Sequence, residues 1–236
     1  GGHFSGLFLA GRPMGHNELR LRSSPPTIFA AQPDRLRAGT GGAAAGAPNI
    51  WSHQWDFKYY SHAPYITDDT LLNGKNVIVD GDYAIQPEMT GNQNSGGNLE
   101  PIGVFCHELG HVFNLPDLYD YSNRGEGLGG WCLMASGSYG GDQSHSNKPS
   151  HMSAWCKEQM GWVVPTVVTS DAFNAILNPV EFTQQIYKVW RNGIPGQEYY
   201  LIENRQKKGF DVSLIESGLL IFHVDNLNGD QTNPSH

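Results

Sequence analysis

Apolar residues recur at helical spacing between residues 102 and 113. They are Ile102, Phe105, Leu109, Val112 and Phe113. Residues three and four positions apart lie on one face of a helix, so the pattern predicts an amphipathic helix with one buried stripe. Pro101 suits the start of this helix, because the N–H group that proline lacks has no helical partner there. We expect a core helix that carries its polar side chains on a different, less apolar face.

Other segments predict a second helix and several strands. The pattern from Ser150 to Met160 favours a helix, with Ser150 as its N-cap and Gly161 just beyond its end. Strand-like patterns, rich in aromatic and β-branched residues, occupy residues 185–191, 197–205 and 218–224. The elements together predict an α+β fold with a β-rich C-terminal part.

Residues 76–86 predict a β-hairpin around Asp80 and Gly81. The second strand of this hairpin leads toward the helix at residues 102–113. It is either an edge strand that pairs with an extended substrate or an ordinary strand of the sheet.

The chemistry of the first helix lies in His107, Glu108 and His111, which form the pattern H-E-x-x-H. Histidines four positions apart lie one above the other on a helix, so both imidazoles can bind one metal ion, expected to be Zn²⁺. Glu108 can take a proton from metal-activated water as a general base. The alternative is a helix with two surface histidines and a solvated glutamate.

A third metal ligand is expected just beyond this helix. If the helix continued, Asp117 would point about 240° away from His111, so the helix must end first. Asn114 tolerates the left-handed conformation that ends helices, and Pro116 disfavours helical backbone at the residue before it. Asp117 is therefore predicted to return to the metal as the third ligand.

Two alternatives to this third ligand stay open. Asp117 could brace a loop or bind calcium together with Asp120, since carboxylate oxygens suit hard cations. Glu203, a titratable residue in an apolar strand, is the second candidate for the third zinc ligand, or else a satisfied polar residue at a strand end.

Residues 129–141 form a short apolar run closed by glycines, with Met134 inside it. The full pattern H-E-x-x-H-x-x-N-x-x-D resembles the metzincin spacing H-E-x-x-H-x-x-G-x-x-H, in which a methionine-containing turn follows the third ligand. We therefore expect Met134 in such a Met-turn, whereas an isolated methionine in an apolar run is ordinary core. Tyr139 follows the turn and is a candidate oxyanion donor.

Several motifs occur in the order found in one known family. They are residues 107–120, 131–134, 149–162, 199–206 and 218–225. On these motifs the chain resembles the immune inhibitor A-like metallopeptidases over about residues 49–225. Asn114 departs from the family pattern, which usually has glycine there.

The resemblance implies a zincin- or metzincin-like α+β catalytic domain with an active-site helix and a Met-turn. It also implies a secreted bacterial zinc endopeptidase that hydrolyses proteins or peptides and is often stabilised by calcium. Two alternatives remain. One is a catalytically incomplete binding module with the peptidase fold. The other is a zinc amidase or deacetylase, which would share the metal and the base but not the Met-turn.

Composition excludes some classes of function. The 236 residues carry a formal net charge of −8, which disfavours nucleic-acid binding, and the longest apolar run is too short to span a membrane. Residues 1–48 lack periodicity and predict an N-terminal extension of loop or disorder. Residues 49–236 are expected to form the catalytic domain, truncated at its C-terminal end. The sequence does not indicate an oligomeric state.

Loop aspartates are candidate calcium ligands. They are Asp117, Asp120, Asp142, Asp225 and Asp230. Carboxylates in loops suit Ca²⁺, although most surface aspartates are simply solvated.

The remaining reactive side chains are three cysteines and a histidine. An odd number of cysteines leaves at least one thiol outside an intrachain disulfide. Cys106 points about 100° away from His107, so we expect it to be buried beside the site, either free or paired with Cys132 or Cys156. His151 is expected to be a capping or core histidine rather than a metal ligand.

Overall fold

The computed structural model describes residues 8–9, 28–29, 52–56, 64–79, 82–86, 98–121, 125–171 and 174–226. The chain divides into two compact units, Gly1–Pro116 and Asp117–His236. Strands β1 (Phe8–Leu9) and β2 (Ile28–Phe29) pair antiparallel. The rest of the predicted N-terminal extension and Asp230 lie outside the described residues, and the domain boundary after residue 48 stays a prediction.

In its described residues, the first unit has one helix and two further strand pairs. Helix α1 spans Ile102–Val112, as predicted, with Pro101 as its N-cap. Strand β3 (His53–Asp56) pairs antiparallel with β6 (Asp82–Ile85), and both strands contact α1. Strand β4 (Tyr65–Thr70) pairs antiparallel with β5 (Asn76–Val79).

The predicted hairpin over residues 76–86 is wrong. Its two strands pair with other partners, β5 with β4 and β6 with β3. The tight turn lies instead between β4 and β5, where the Leu71 N–H donates to the Lys75 carbonyl at 2.8 Å. Residues 72–74 form this turn, with Gly74 at φ 75°. Asn-Gly is as strong a turn signal as Asp-Gly, and local sequence does not decide which of two signals closes a hairpin.

The buried face of α1 also differs from the expected one. Ile102 and Phe113 are each 45% exposed. The buried positions of the helix are Gly103, His107, Gly110, His111 and Val112. Positions 103, 107, 110 and 111 lie on one face of the helix. The histidine face, expected to be less apolar and separate from the buried stripe, is therefore itself buried.

The second unit is built on a four-stranded sheet. The strand order is β10 (Gly218–Asp225), β9 (Glu198–Arg205), β8 (Tyr187–Trp190) and β7 (Thr166–Val167). β9 pairs antiparallel with both of its neighbours, and β7 pairs parallel with β8. Strands β8, β9 and β10 lie within or close to the predicted ranges. Together with the helices, they confirm the α+β class.

Helix α2 spans Ala154–Gln159 and starts later than predicted. Its N-cap is Ser153, whose side chain accepts a hydrogen bond from the Cys156 N–H. The predicted N-cap, Ser150, is wrong, because its hydroxyl donates to the Gly130 carbonyl at 2.7 Å instead. Two serines three positions apart compete for the cap, and a contact distant in sequence decides between them.

Alternating residues of β9 form the core of the second unit. Tyr199 and Leu201 pack in a buried apolar cluster with Ala154, Val163, Ile186 and Phe222. The next two inward positions, Glu203 and Arg205, are charged and fully buried. Within the described part of the chain, no helix has the length and apolar character needed to cross a membrane.

Candidate metal centre

Helix α1 ends in a turn that folds the backbone back toward its last residues. The Asn114 N–H donates to the His111 carbonyl at 2.8 Å, and the Leu115 N–H donates to the Gly110 carbonyl at 3.1 Å. These are the two hydrogen bonds of the Schellman motif, and Asn114, at φ 64°, occupies the left-handed position that glycine usually takes. The predicted helix break at Asn114 is confirmed.

This turn gives the His111 ring an acceptor. The Nδ1 atom of His111 lies 2.7 Å from the Leu115 carbonyl oxygen. A carbonyl oxygen only accepts hydrogen bonds, so Nδ1 donates, and Nε2 is the ring nitrogen left to bind a metal. The buried side chain of Leu115 anchors the carbonyl. Metal-binding histidines characteristically donate their second ring N–H in this way.

The two histidines of α1 face each other through their Nε2 atoms. These atoms lie 3.2 Å apart, and the rings are nearly perpendicular at 89°. Two nitrogens bound at 2.0–2.1 Å to one tetrahedral zinc ion would stand about 3.3 Å apart. The helix therefore holds His107 and His111 at the separation that a shared zinc ion requires.

Asp117 completes a group of three candidate ligands. One ligand atom from each of His107, His111 and Asp117 lies within 4.8 Å of the others. Among the described residues, these three side chains form a group that could hold one metal ion. The boundary between the units falls at Pro116, inside this segment, so the grouping belongs to the continuous stretch 107–117. Two imidazoles and a carboxylate are an accepted donor set for catalytic zinc.

Tyr121 is a partner of Asp117 that the sequence does not predict. Its hydroxyl donates a hydrogen bond to Oδ2 of Asp117. Burial and this hydrogen bond raise the pKa of Tyr121 well above its usual value, so the phenol remains a donor. The only local signal is the spacing Asp117-x-x-x-Tyr121, which is common in loops and carries no mechanism of its own.

Both backbone polar groups of Leu118, the residue after Asp117, form hydrogen bonds. The Leu118 N–H donates to the Met134 carbonyl at 2.7 Å, and the Leu118 carbonyl accepts from the Leu128 N–H at 2.8 Å. Met134 is fully buried in a turn, closed by a 3.0 Å hydrogen bond from the Ala135 N–H to the Cys132 carbonyl. These contacts fix the peptide that follows Asp117.

Two other predicted site residues, Glu108 and Tyr139, are at least partly exposed. Glu108, adjacent to His107 on α1, is half-buried. Tyr139 ends the 3₁₀ turn Ser136–Tyr139, and its side chain is 50% exposed. The roles of Glu108 as base and Tyr139 as oxyanion donor stay predictions.

Glu203 belongs to a buried ion-pair cluster. Its carboxylate accepts from Arg205 Nη1 and from Lys157 Nζ, each at 3.0 Å. Arg205 also forms a bidentate pair with Asp211, at 2.7 and 2.8 Å. Glu203 is thus a satisfied buried carboxylate, which removes the reason for its candidacy as a zinc ligand.

His151 is a half-buried histidine next to this cluster. Its backbone N–H donates to Asp211 at 2.9 Å, and burial lowers the pKa of its imidazole.

Among the described residues, the loop aspartates proposed as calcium ligands do not form a defined calcium site. Asp142 accepts hydrogen bonds from the Ser144 N–H at 3.1 Å and from His145 Nδ1 at 2.7 Å, which closes an exposed turn. The loop aspartates as calcium ligands stay a prediction.

Comparison with known proteins gives a match to one peptidase family. Residues 29–163 match the catalytic domain of immune inhibitor A peptidase M6. The pre-pro-metalloprotease PrtV of Vibrio cholerae serotype O1 is 34% identical over 123 residues, which are 50% of this chain and 12% of PrtV. Immune inhibitor A of Bacillus thuringiensis subsp. alesti is 33% identical over 103 residues, 43% of this chain and 14% of that protein. This chain therefore spans only a small part of the length of each relative. The residues that match the family's catalytic domain, 29–163, include α1 and Asp117.

Proposed function

Because this chain belongs to the immune inhibitor A family of metallopeptidases, we propose that it carries the centre of a zinc-dependent endopeptidase. The proposed zinc ligands are His107, His111 and Asp117, and the proposed general base is Glu108. The observation that carries the proposal is the 3.2 Å separation of the two histidine Nε2 atoms. The hydrogen bond from His111 to the Leu115 carbonyl supports it, because this bond occupies Nδ1 and leaves Nε2 as the ring nitrogen that can bind a metal.

The chain's own residues would share the chemistry of peptide hydrolysis. When bound, a zinc ion supplies Lewis-acid chemistry, which polarises a scissile carbonyl and eases the deprotonation of water. The Glu108 carboxylate accepts the proton of the attacking water and delivers it to the nitrogen of the leaving amine. Tyr139 would donate its phenolic hydrogen to the oxyanion, a role that its half-exposed side chain permits.

We also propose that Met134 forms the Met-turn of a metzincin-like site. Its full burial and its backbone hydrogen bond to Leu118 support this role, because they tie the turn to the residue next to Asp117. The order of the motifs along the chain supports it as well.

The proposal extends to substrates, location and a second metal. Protein or peptide substrates follow from the peptidase family. Secretion and stabilisation by calcium rest on the resemblance noted in the sequence, and one relative is named as a pre-pro-metalloprotease.

Metal loading and proteolysis together test this function. The purified chain would be stripped with dipicolinate and reloaded with Zn²⁺. Bound zinc would be counted by plasma mass spectrometry and cleavage followed with labelled casein. The wild type should hold one zinc per chain and cleave casein, and His111→Ala should do neither. His145→Ala removes an exposed histidine of the second unit and should retain both properties.

The two measurements separate the alternatives. Zinc binding without cleavage would favour a binding module over an endopeptidase. Wild-type protein that binds no zinc would overturn the metal centre itself.

A further inference from the structure

Two buried thiols lie in contact in the second unit. The Sγ atoms of Cys132 and Cys156 are 4.0 Å apart, and both residues are fully buried. Cys132 is the first residue of the turn that contains Met134, and Cys156 lies in α2. The third cysteine, Cys106, is half-buried on α1 in the first unit.

We propose that Cys132 and Cys156 form an intrachain disulfide that joins the Met134 turn to helix α2. A disulfide places its sulfurs about 2.0 Å apart, so the two side chains together must close a gap of about 2 Å. Each sulfur also contacts Ser153, a residue that lies between the two cysteines in the sequence. Its backbone N–H lies 3.3 Å from Cys132 Sγ, and its hydroxyl lies 3.3 Å from Cys156 Sγ.

The surroundings shift the pKa values of the two thiols in opposite directions in the folded chain. Burial raises the pKa of Cys132, but hydrogen bonds from the Cys156 thiol and the Ser153 N–H outweigh it and lower the pKa. The hydrogen bond to Cys132, together with burial, raises the pKa of Cys156. The proposed pairing itself rests on the 4.0 Å distance between the two sulfurs.

The oxidant required is a small-molecule disulfide such as oxidised glutathione. The thiolate of one of the two cysteines attacks one of its sulfurs, which forms a mixed disulfide and releases one glutathione. The other cysteine then loses its proton and attacks the protein sulfur of the mixed disulfide, which releases the second glutathione. Two protein thiols are oxidised and one small disulfide is reduced to two thiols, which take up the two protons. Because both sulfurs are buried in the folded chain, the exchange takes place during folding or local opening.

Counting free thiols tests the pairing directly. The chain would be refolded in a mixture of reduced and oxidised glutathione, quenched with acid, denatured and alkylated for mass spectrometry. The wild type should retain one free thiol, at Cys106, and yield one linked peptide pair that contains Cys132 and Cys156. Cys106→Ser should leave no free thiol and keep the link, whereas Cys156→Ser should leave two. Three free thiols in the wild type, or a disulfide that includes Cys106, would overturn the proposal.

Thermal unfolding gives an independent readout. A bridge that closes a loop between residues 132 and 156 should raise the melting temperature by about 5–10 °C. The reductant would be tris(carboxyethyl)phosphine, with zinc held constant. Reduction should lower the melting temperature of the wild type and of Cys106→Ser, but not that of the double variant Cys132→Ser/Cys156→Ser. An unchanged melting temperature of the wild type on reduction would contradict a stabilising bridge.

Discussion

The Nδ1 atom of His111 lies 2.7 Å from the carbonyl oxygen of Leu115, four residues further along the chain. This hydrogen bond exists because Asn114 adopts a φ of 64° and turns the backbone back on the helix end. The conformation of one backbone residue therefore decides which imidazole nitrogen carries the proton. It links the end of α1 to the metal-binding capacity that we propose for its second histidine.

Substitution at Asn114 tests this link. Asn114→Ala should lower the free energy of unfolding by about 1–2 kcal/mol, because an ordinary side chain is disfavoured in the left-handed region. Asn114→Gly should retain or raise the stability, since glycine adopts this conformation without strain. Urea denaturation measures both values. Equal losses for the two variants would show that the backbone conformation is not the reason for asparagine here.

Glu108 should matter for proton transfer and not for metal binding. Glu108→Gln is expected to keep one zinc per chain and the wild-type melting temperature. Its kcat/KM for a casein peptide should fall by a factor of at least about 100, because the amide cannot accept the proton of the attacking water. Zinc content and initial rates would be measured on the same preparation. Undiminished cleavage by this variant would remove Glu108 from the mechanism.

The third ligand can be assigned by comparing two acidic residues. Asp117→Ala should weaken zinc binding by more than about 100-fold, which exceeds the usual loss when only a partner of a ligand is removed. Glu203→Gln should leave the zinc affinity unchanged and lower the stability, since it disturbs the ion pairs with Arg205 and Lys157. Competition with a chromogenic chelator measures the affinities. The opposite order would transfer the role to Glu203.

The ion pair between Arg205 and Asp211 should make stability depend on acid pH. Burial alone would raise the pKa of Asp211, but the Arg205 guanidinium holds it below its usual range. A carboxylate with a lowered pKa in the folded state stabilises the fold above its unfolded-state pKa of about 3.9, and the contribution is lost as pH falls through the folded-state pKa.

Asp211→Asn removes this contribution. At pH 7 the variant should be less stable than the wild type by about 3 kcal/mol, because Arg205 keeps its buried charge without the full pair. The difference should shrink as the pH falls from 5 to 3. Urea denaturation over that range provides the test, and a constant difference would contradict the lowered pKa.

The sequence predicts those features that are set by local spacing. Helix α1, its end at Asn114 and the ligand spacing from His107 to Asp117 all lie within sixteen residues of Ile102. Strands β9 and β10 are predicted because alternation of buried and exposed positions is itself a local pattern. The His-His-Asp grouping then follows from one helix and one turn.

The features that the sequence does not predict depend on contacts between distant residues or on competing signals. The choice between the turns at Asn73 and at Asp80 depends on strand pairing. The buried face of α1 contains Gly103 and Gly110, which a count of apolar side chains does not register. The pairing of Arg205 with Asp211 depends on the fold of the second unit, so no spacing indicates it.

The most direct test of the proposed zinc centre is anomalous scattering at the zinc absorption edge, measured on crystals of the zinc-loaded chain. We predict one strong peak, within about 2.0–2.2 Å of His107 Nε2, His111 Nε2 and a carboxylate oxygen of Asp117. Data collected below the edge should lack that peak, which identifies the metal as zinc. A peak bound by other residues, or no peak in fully loaded crystals, would contradict the proposed centre.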